Sequence, residues 1–117
     1  HIKEQIENYS DTQFNSLLAN LYRDEQDSVG WHADNEPELG NNPVIASLSL
    51  GGERTFQLKH RQHPERKLEL ELRSGDLLIM KGAMQHHWLH QIPKSKQACL
   101  PRINLTFRKI NKASTPK

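Results

Sequence analysis

Arg102-Ile103-Asn104-Leu105-Thr106-Phe107-Arg108 (RINLTFR) is the stretch whose reading decides the fold. Side chains alternate along a strand, so Arg102, Asn104, Thr106 and Arg108 share one face, and Ile103, Leu105 and Phe107 share the other. The apolar face requires a core. The polar face aims two guanidiniums, an amide and a hydroxyl in one direction. Six residues of strand span about 20 Å, so the two cations suit opposite ends of a short dicarboxylate better than a single carboxylate. A solvated strand face carrying charge is the competing reading, and the strand alone does not choose. The choice turns on His32-Ala33-Asp34 and on a histidine-rich stretch ahead of this strand.

At 117 residues the chain is one domain, large enough for a core but not a generous one. Its apolar share, 34%, lies below the usual globular value. Either the interior is partly polar, as in a metal cleft, or some covering structure is missing. The single cysteine, Cys99, excludes an intrachain disulfide and a multi-cysteine zinc site, which fits a reducing compartment. No apolar run approaches membrane-spanning length, and the N-terminus has no signal-peptide core. A net charge of +2 makes basic character a local matter.

Outward from that strand, the pattern is one of short extended segments. Residues 2–9 place Ile2, Ile6 and Tyr9 at helical spacing and predict a short amphipathic helix. Residues 14–23 read as a strand with Asn20 and Tyr22 on one face and Ala19 and Leu21 on the other; a turn follows, and residues 29–34 are extended again. Residues 36–43 are loop by composition. Residues 44–50 form a strand, Gly51-Gly52 a tight hairpin connection, and residues 54–59 the returning strand. A basic loop leads to residues 68–73, where Leu68, Leu70 and Leu72 predict a half-buried strand. Residues 77–80 are apolar throughout and predict a strand buried on both faces. The histidine-rich residues 82–91 and a basic loop over 93–101 precede the closing strand. Many short strands with frequent turns predict a mainly β sandwich or barrel with one leading helix.

His32 and Asp34 lie two apart on an extended segment and leave it on the same face. An imidazole and a carboxylate so presented are two of the three ligands of the facial triad in non-haem iron(II) oxygenases, whose remaining positions stay open. His-x-Asp alone recurs by chance in loops and needs a distant histidine to complete it. Of seven histidines, His1, His60 and His63 read as solvent-exposed, leaving His86, His87 and His90 around Trp88.

Asn20-Leu21-Tyr22, Trp31-His32-Ala33-Asp34-Asn35-Glu36, Trp88-Leu89-His90 and RINLTFR together resemble the signature of the AlkB family of Fe(II)- and 2-oxoglutarate-dependent dioxygenases, which repair alkylated bases. The resemblance runs from the first helix to Ile110 and implies a double-stranded β-helix (jelly-roll) fold. It makes residues 1–110 a catalytic core and residues 111–117 a tail. It implies that His32, Asp34 and His90 ligate Fe(II), and that Asn20, Tyr22, Arg102, Asn104, Thr106 and Arg108 surround 2-oxoglutarate. Arg102, with Tyr22 and Asn20, would take the distal carboxylate, and Arg108 would lie nearer the chelating end. The implied reaction uses O2, converts 2-oxoglutarate to succinate and carbon dioxide, and hydroxylates an N-alkyl group that leaves as aldehyde. His86 and His87 read as surface groups, and Met80, Met84 and Trp88 as core.

Two departures bear on substrate. Asn35 stands where relatives acting on double-stranded DNA often carry Asp, at a position implicated in contacting the flipped base; an amide donates where a carboxylate only accepts. Family members also carry an N-terminal lid over the base pocket, and nothing precedes His1 here, so the sequence reads as a core without its lid. The implied partner is alkylated DNA or RNA with the damaged base out of the stack; local charge offers two basic segments to phosphates, Lys94-Ser95-Lys96, or Lys59-His60-Arg61 with Arg66-Lys67. A monomer with no membrane association and no obligate protein partner is expected, cytoplasmic if bacterial and nuclear if eukaryotic. A dioxygenase of protein or small molecules, or a non-catalytic jelly-roll binding module, remains as the alternative.

Overall fold

The computed structural model describes residues 2–34, 37–40 and 42–111. The elements are α1 (Ile2–Ser10), β1 (Ser16–Tyr22), β2 (Val29–His32), a 3-10 turn (Pro37–Leu39), β3 (Ile45–Gly51), β4 (Arg54–His60), β5 (Lys67–Leu72), β6 (Leu77–Met80), α2 (Met84–His87), β7 (Trp88–Ile92) and β8 (Arg102–Arg108). They build two four-stranded sheets, ordered β1-β8-β3-β6 and β2-β7-β4-β5. Every pairing is antiparallel. This is the expected mainly β jelly roll with one leading helix.

β8 has the predicted bounds and lies between β1 and β3, so its backbone is paired on both sides. That pairing fixes which way its alternating side chains point. Tyr22 stands opposite Arg102 and Asn20 opposite Asn104. Ser47 and Ser49 of β3 stand opposite Thr106 and Asn104. The polar face of β8 therefore turns towards the second sheet and the apolar face away from it.

Two cores follow from this two-sided strand. Between the sheets, Tyr22, Ile45, Phe56, Leu58, Leu72, Met80 and Ile92 form one buried cluster, with Met84 and Trp88 packed against it as expected. On the outer side of the first sheet, Ile6, Phe14, Ala46 and Phe107 form another. α1 closes this outer core and ends at Asp11, whose positive φ of 55° stops the helix.

Several readings need correction. Of the three residues placed on the apolar face of α1, only Ile6 is buried; Tyr9 is 80% exposed. Gly51-Gly52 is not a hairpin, because β3 pairs with β6 and β8 while β4 pairs with β5 and β7. The glycines carry the chain from one sheet to the other beneath Leu100 and Pro101. A Cβ on Gly51 would strike the Pro101 carbonyl, and one on Gly52 the Leu100 carbonyl. β5 is an edge strand, and two of its leucines are left uncovered, Leu68 at 57% and Leu70 at 41% exposure. β6 is also an edge strand and is buried only at Met80, not on both faces. The histidine-rich stretch holds both α2 and β7, neither of which its composition announced.

Candidate active site

His32 closes β2 directly opposite His90 on β7, so the ladder brings the two rings together at 4.2 Å between centroids. Asp34 lies two residues past the end of β2, and its Oδ2 comes within 3.8 Å of His90 Nε2. One ligand atom from each of the three residues lies within 4.8 Å of the others, and among the described residues this is the only such group. His32 Nδ1 sits 2.8 Å from the Gly30 carbonyl, which can only accept. Nδ1 therefore carries the hydrogen, and Nε2 keeps its lone pair for a metal. Burial pushes the His90 imidazole down to about 4, a nearby His32 charge adding to the effect and Asp34 opposing it. Its approach to Asp34 is therefore not an ion pair at neutral pH. A neutral imidazole is the ligating form. Phe56 stacks on this ring at 5.3 Å and keeps that side dry.

The other end of the site is cationic. Arg102 is 1% exposed and lies 5.0 Å over the Tyr22 ring. Its Nη2 donates to Ser49 Oγ at 2.9 Å. Its Nε and Nη1 are buried without a partner. Burial lowers its pKa, Tyr22 opposes that, and the like charge of Arg54 adds to it. Burial also raises the Tyr22 phenol against the pull of Arg102 and Arg54, so the hydroxyl stays a donor at neutral pH. A buried guanidinium with idle N–H edges is costly until an anion accepts from them. Farther along β8, Ser47 Oγ donates to Asn104 Oδ1 at 2.5 Å, and Asn104 Nδ2 to Thr106 Oγ1 at 2.9 Å.

Both ends line one cavity of about 100 Å³, which brings together His32, Asp34, His90, Asn20, Tyr22, Arg102, Asn104, Thr106 and Arg108. Asn35 lies outside the described residues, as does His1. His63, His86 and His87 are exposed, and His60 packs edge-on to Trp88. Five contributors escaped the sequence reading: Ser47, Ser49, Arg54, Phe56 and Gln85. The two serines left a trace, since they alternate with leucines in an otherwise apolar strand. Arg54 left none. It is buried, donates to the carbonyls of Asp24, Asp27 and Pro93, and lies 5.5 Å over Tyr22. Phe56 and Gln85 act through partners distant in sequence.

Two imidazoles and a carboxylate converging from one side fit a divalent cation with open positions, and idle Arg102 edges deep in the same cavity fit a carboxylate. A jelly roll arranged in this way has the architecture of the non-haem iron(II) oxygenase class. The sequence profile of the 2OG-Fe(II) oxygenase superfamily matches residues 1–108, and the chain belongs to that superfamily. Fe(II), 2-oxoglutarate and O2 are its cofactors. Its relatives are AlkB homologues. It is 48% identical over 117 residues to the mouse protein "Alpha-ketoglutarate-dependent dioxygenase alkB homolog 3", covering 93% of this chain and 41% of that one. It is 40% identical over 116 residues to the bovine "DNA oxidative demethylase ALKBH2", covering 93% and 42%. The chain thus spans about two-fifths of the length of these relatives. In fold it matches the solved structure of OsALKBH1 with a TM-score of 0.66 at 21% identity, over 92% of this chain and 61% of that one.

Proposed function

We propose that the protein removes alkyl groups from base nitrogens in DNA or RNA by oxidation, coupled to decarboxylation of 2-oxoglutarate. The observation that carries the reading is one cavity with a His-Asp-His group at one end and a buried, partly unpaired Arg102 at the other. The relatives named as dioxygenases and a DNA demethylase supply the substrate class. In this reading residues 1–110 are the catalytic core, and His32, Asp34 and His90 hold Fe(II) with open positions on the cavity side. Arg102, Tyr22 and Asn20 take the distal carboxylate of 2-oxoglutarate, while Asn104, Thr106 and Arg108 line the path towards the metal and Asn35 meets the base. The bound iron, with 2-oxoglutarate and O2, supplies an oxidant strong enough to hydroxylate an N-alkyl carbon. The protein's part is to fix the ligands, neutralise the dianion and keep water out; Phe56 and Leu72 wall the cavity for the last purpose. The hydroxylated alkyl group leaves as aldehyde, and the base recovers its N–H. Lys94 and Lys96, on the segment between β7 and β8, are exposed and in this reading meet phosphates.

The test is turnover of a panel of N-methylated oligonucleotides with Fe(II) and 2-oxoglutarate, scoring succinate and formaldehyde together. Equal amounts of both, dependent on the oligonucleotide, are expected. Succinate formation stimulated by a protein or small molecule and by no oligonucleotide would overturn the substrate, and absence of succinate under all conditions would overturn the enzyme.

A further inference from the structure

Gln85 is 1% exposed, one of the largest fully buried side chains among the described residues, and it does not itself line the cavity, although both partners of its amide, Asp34 and Met80, do. Its Oε1 accepts from the backbone N–H of Asp34 at 2.8 Å, across 51 positions of sequence. Its Nε2 meets only the thioether of Met80 at 3.5 Å. The orientation of the amide follows from this chemistry: an N–H demands the oxygen, and the amino group is left to a weak sulfur acceptor. A buried amide half-satisfied by sulfur is a poor device for stability, where an apolar residue of the same size would serve as well.

What it does supply is a fixed point for Asp34. β2 ends at His32, and its pairing with β7 already slips between Val29 and His32, so no strand ladder holds the carboxylate ligand. Gln85 also lies on α2, which runs straight into β7 and so leads, five residues later, to His90. One short element thereby fixes two of the three converging ligands, His90 through the chain and Asp34 through the amide.

We propose that Gln85 is a positioning residue for the metal site: by pinning the Asp34 peptide it sets the carboxylate against the two imidazoles before metal arrives. The inference rests on the assignment of His32, Asp34 and His90 as the metal group. Removing such an outer partner typically lowers metal affinity 10–100-fold.

The test titrates Co(II) into the protein without 2-oxoglutarate and measures hydrogen exchange of the Asp34 amide in the same samples. The variants are Gln85→Met, which keeps size and removes the acceptor, and Gln85→Glu, which keeps an acceptor oxygen. Phe14→Leu, in the outer core, serves as a control for lowered stability alone. Gln85→Met is expected to bind Co(II) roughly 10–100-fold more weakly and to lose exchange protection at Asp34. Gln85→Glu should recover both, and Phe14→Leu should change neither. In every variant that folds, affinity and protection must move together, so either one moving alone overturns the proposal. If Gln85→Met does not fold, that same criterion is applied to Gln85→Glu. If the native chain itself fails to bind Co(II), the metal assignment falls, a result distinct from unchanged affinity in the variants.

Discussion

In the proposed function, Arg102 is the residue on which 2-oxoglutarate recognition depends most. It is buried, idle on two edges and held by Ser49 on a third. Charge-assisted bonds from guanidinium to carboxylate are strong and strengthen where water is excluded. Arg102→Ala should therefore cost about 2–5 kcal/mol of 2-oxoglutarate binding, and Arg102→Lys should recover only part, since an ammonium keeps the charge and loses the fork. A phosphate-binding arginine would instead lower the salt dependence of oligonucleotide binding by about one unit on removal. Unchanged 2-oxoglutarate affinity with a flattened salt slope would reassign the residue to nucleic acid. His90 gives a second expectation, about protons. Its folded pKa of about 4 lies below the ordinary 6.5, so between those values the unfolded chain binds a proton that the folded chain refuses. Metal-free stability should then rise with pH across that window and fall as pH drops through it. Urea midpoints at about pH 7 and about pH 5 measure this, and in His90→Gln the difference should shrink. Equal differences in the two proteins would count against a neutral buried His90.

The crossing between sheets is where element-scale geometry meets the site. Gly52 donates its N–H to Pro101 and passes so close to Leu100 that a Cβ would collide with backbone, which cannot swing aside. The displaced residues lead directly into Arg102. Gly52→Ala should destabilise the chain by about 1–3 kcal/mol. It should also weaken 2-oxoglutarate binding while sparing Co(II) affinity, because His32 and His90 belong to the other sheet. Loss of both affinities in equal measure would mean that the crossing supports the whole barrel and not the arginine strand. The same place shows why sequence reading succeeds and fails. β8 was legible end to end because its polar and apolar rows alternate without a break and both rows are used. Gly51-Gly52 looked like a hairpin because local turn chemistry says nothing about which sheet the next strand joins. β5 and β6 were misjudged for a related reason: alternation or apolarity tells which face could be buried, not whether anything covers it. α2 and β7 were hidden by histidines, which follow neither period. His32, Asp34, His90 and the polar residues that line the cavity with them were readable as motifs, whereas the Asp34–Gln85 contact is a long-range one that no local pattern encodes.

At the scale of the whole molecule, the low apolar share has two visible outcomes. The interior between the sheets is partly polar, holding Ser47, Ser49, Arg54, Gln85, His90 and Arg102. The outer face of the first sheet is covered by α1 only in part, leaving Leu17, Leu21, Leu50 and Ile103 exposed. The two cores therefore have different duties. The outer one, around Ile6, Phe14 and Phe107, holds the helix on the sheet and touches none of the cavity. The inner one contains Phe56, which walls the cavity and stacks on His90. Core substitutions should separate along this line. Ile6→Val removes one buried methyl and should cost about 0.5–1.5 kcal/mol of stability. Its Co(II) and 2-oxoglutarate affinities should match the native chain, because β8 is held by its backbone ladders on both sides and not by the helix. Phe56→Leu should cost about 1–3 kcal/mol. It should in addition weaken Co(II) binding, because a ring that keeps His90 dry and in place is replaced by a side chain that can do neither. Paired urea titrations and metal titrations on the two variants decide the matter. Should Ile6→Val lose metal affinity as far as Phe56→Leu does, the cores act as one unit, and the site depends on the stability of the whole barrel.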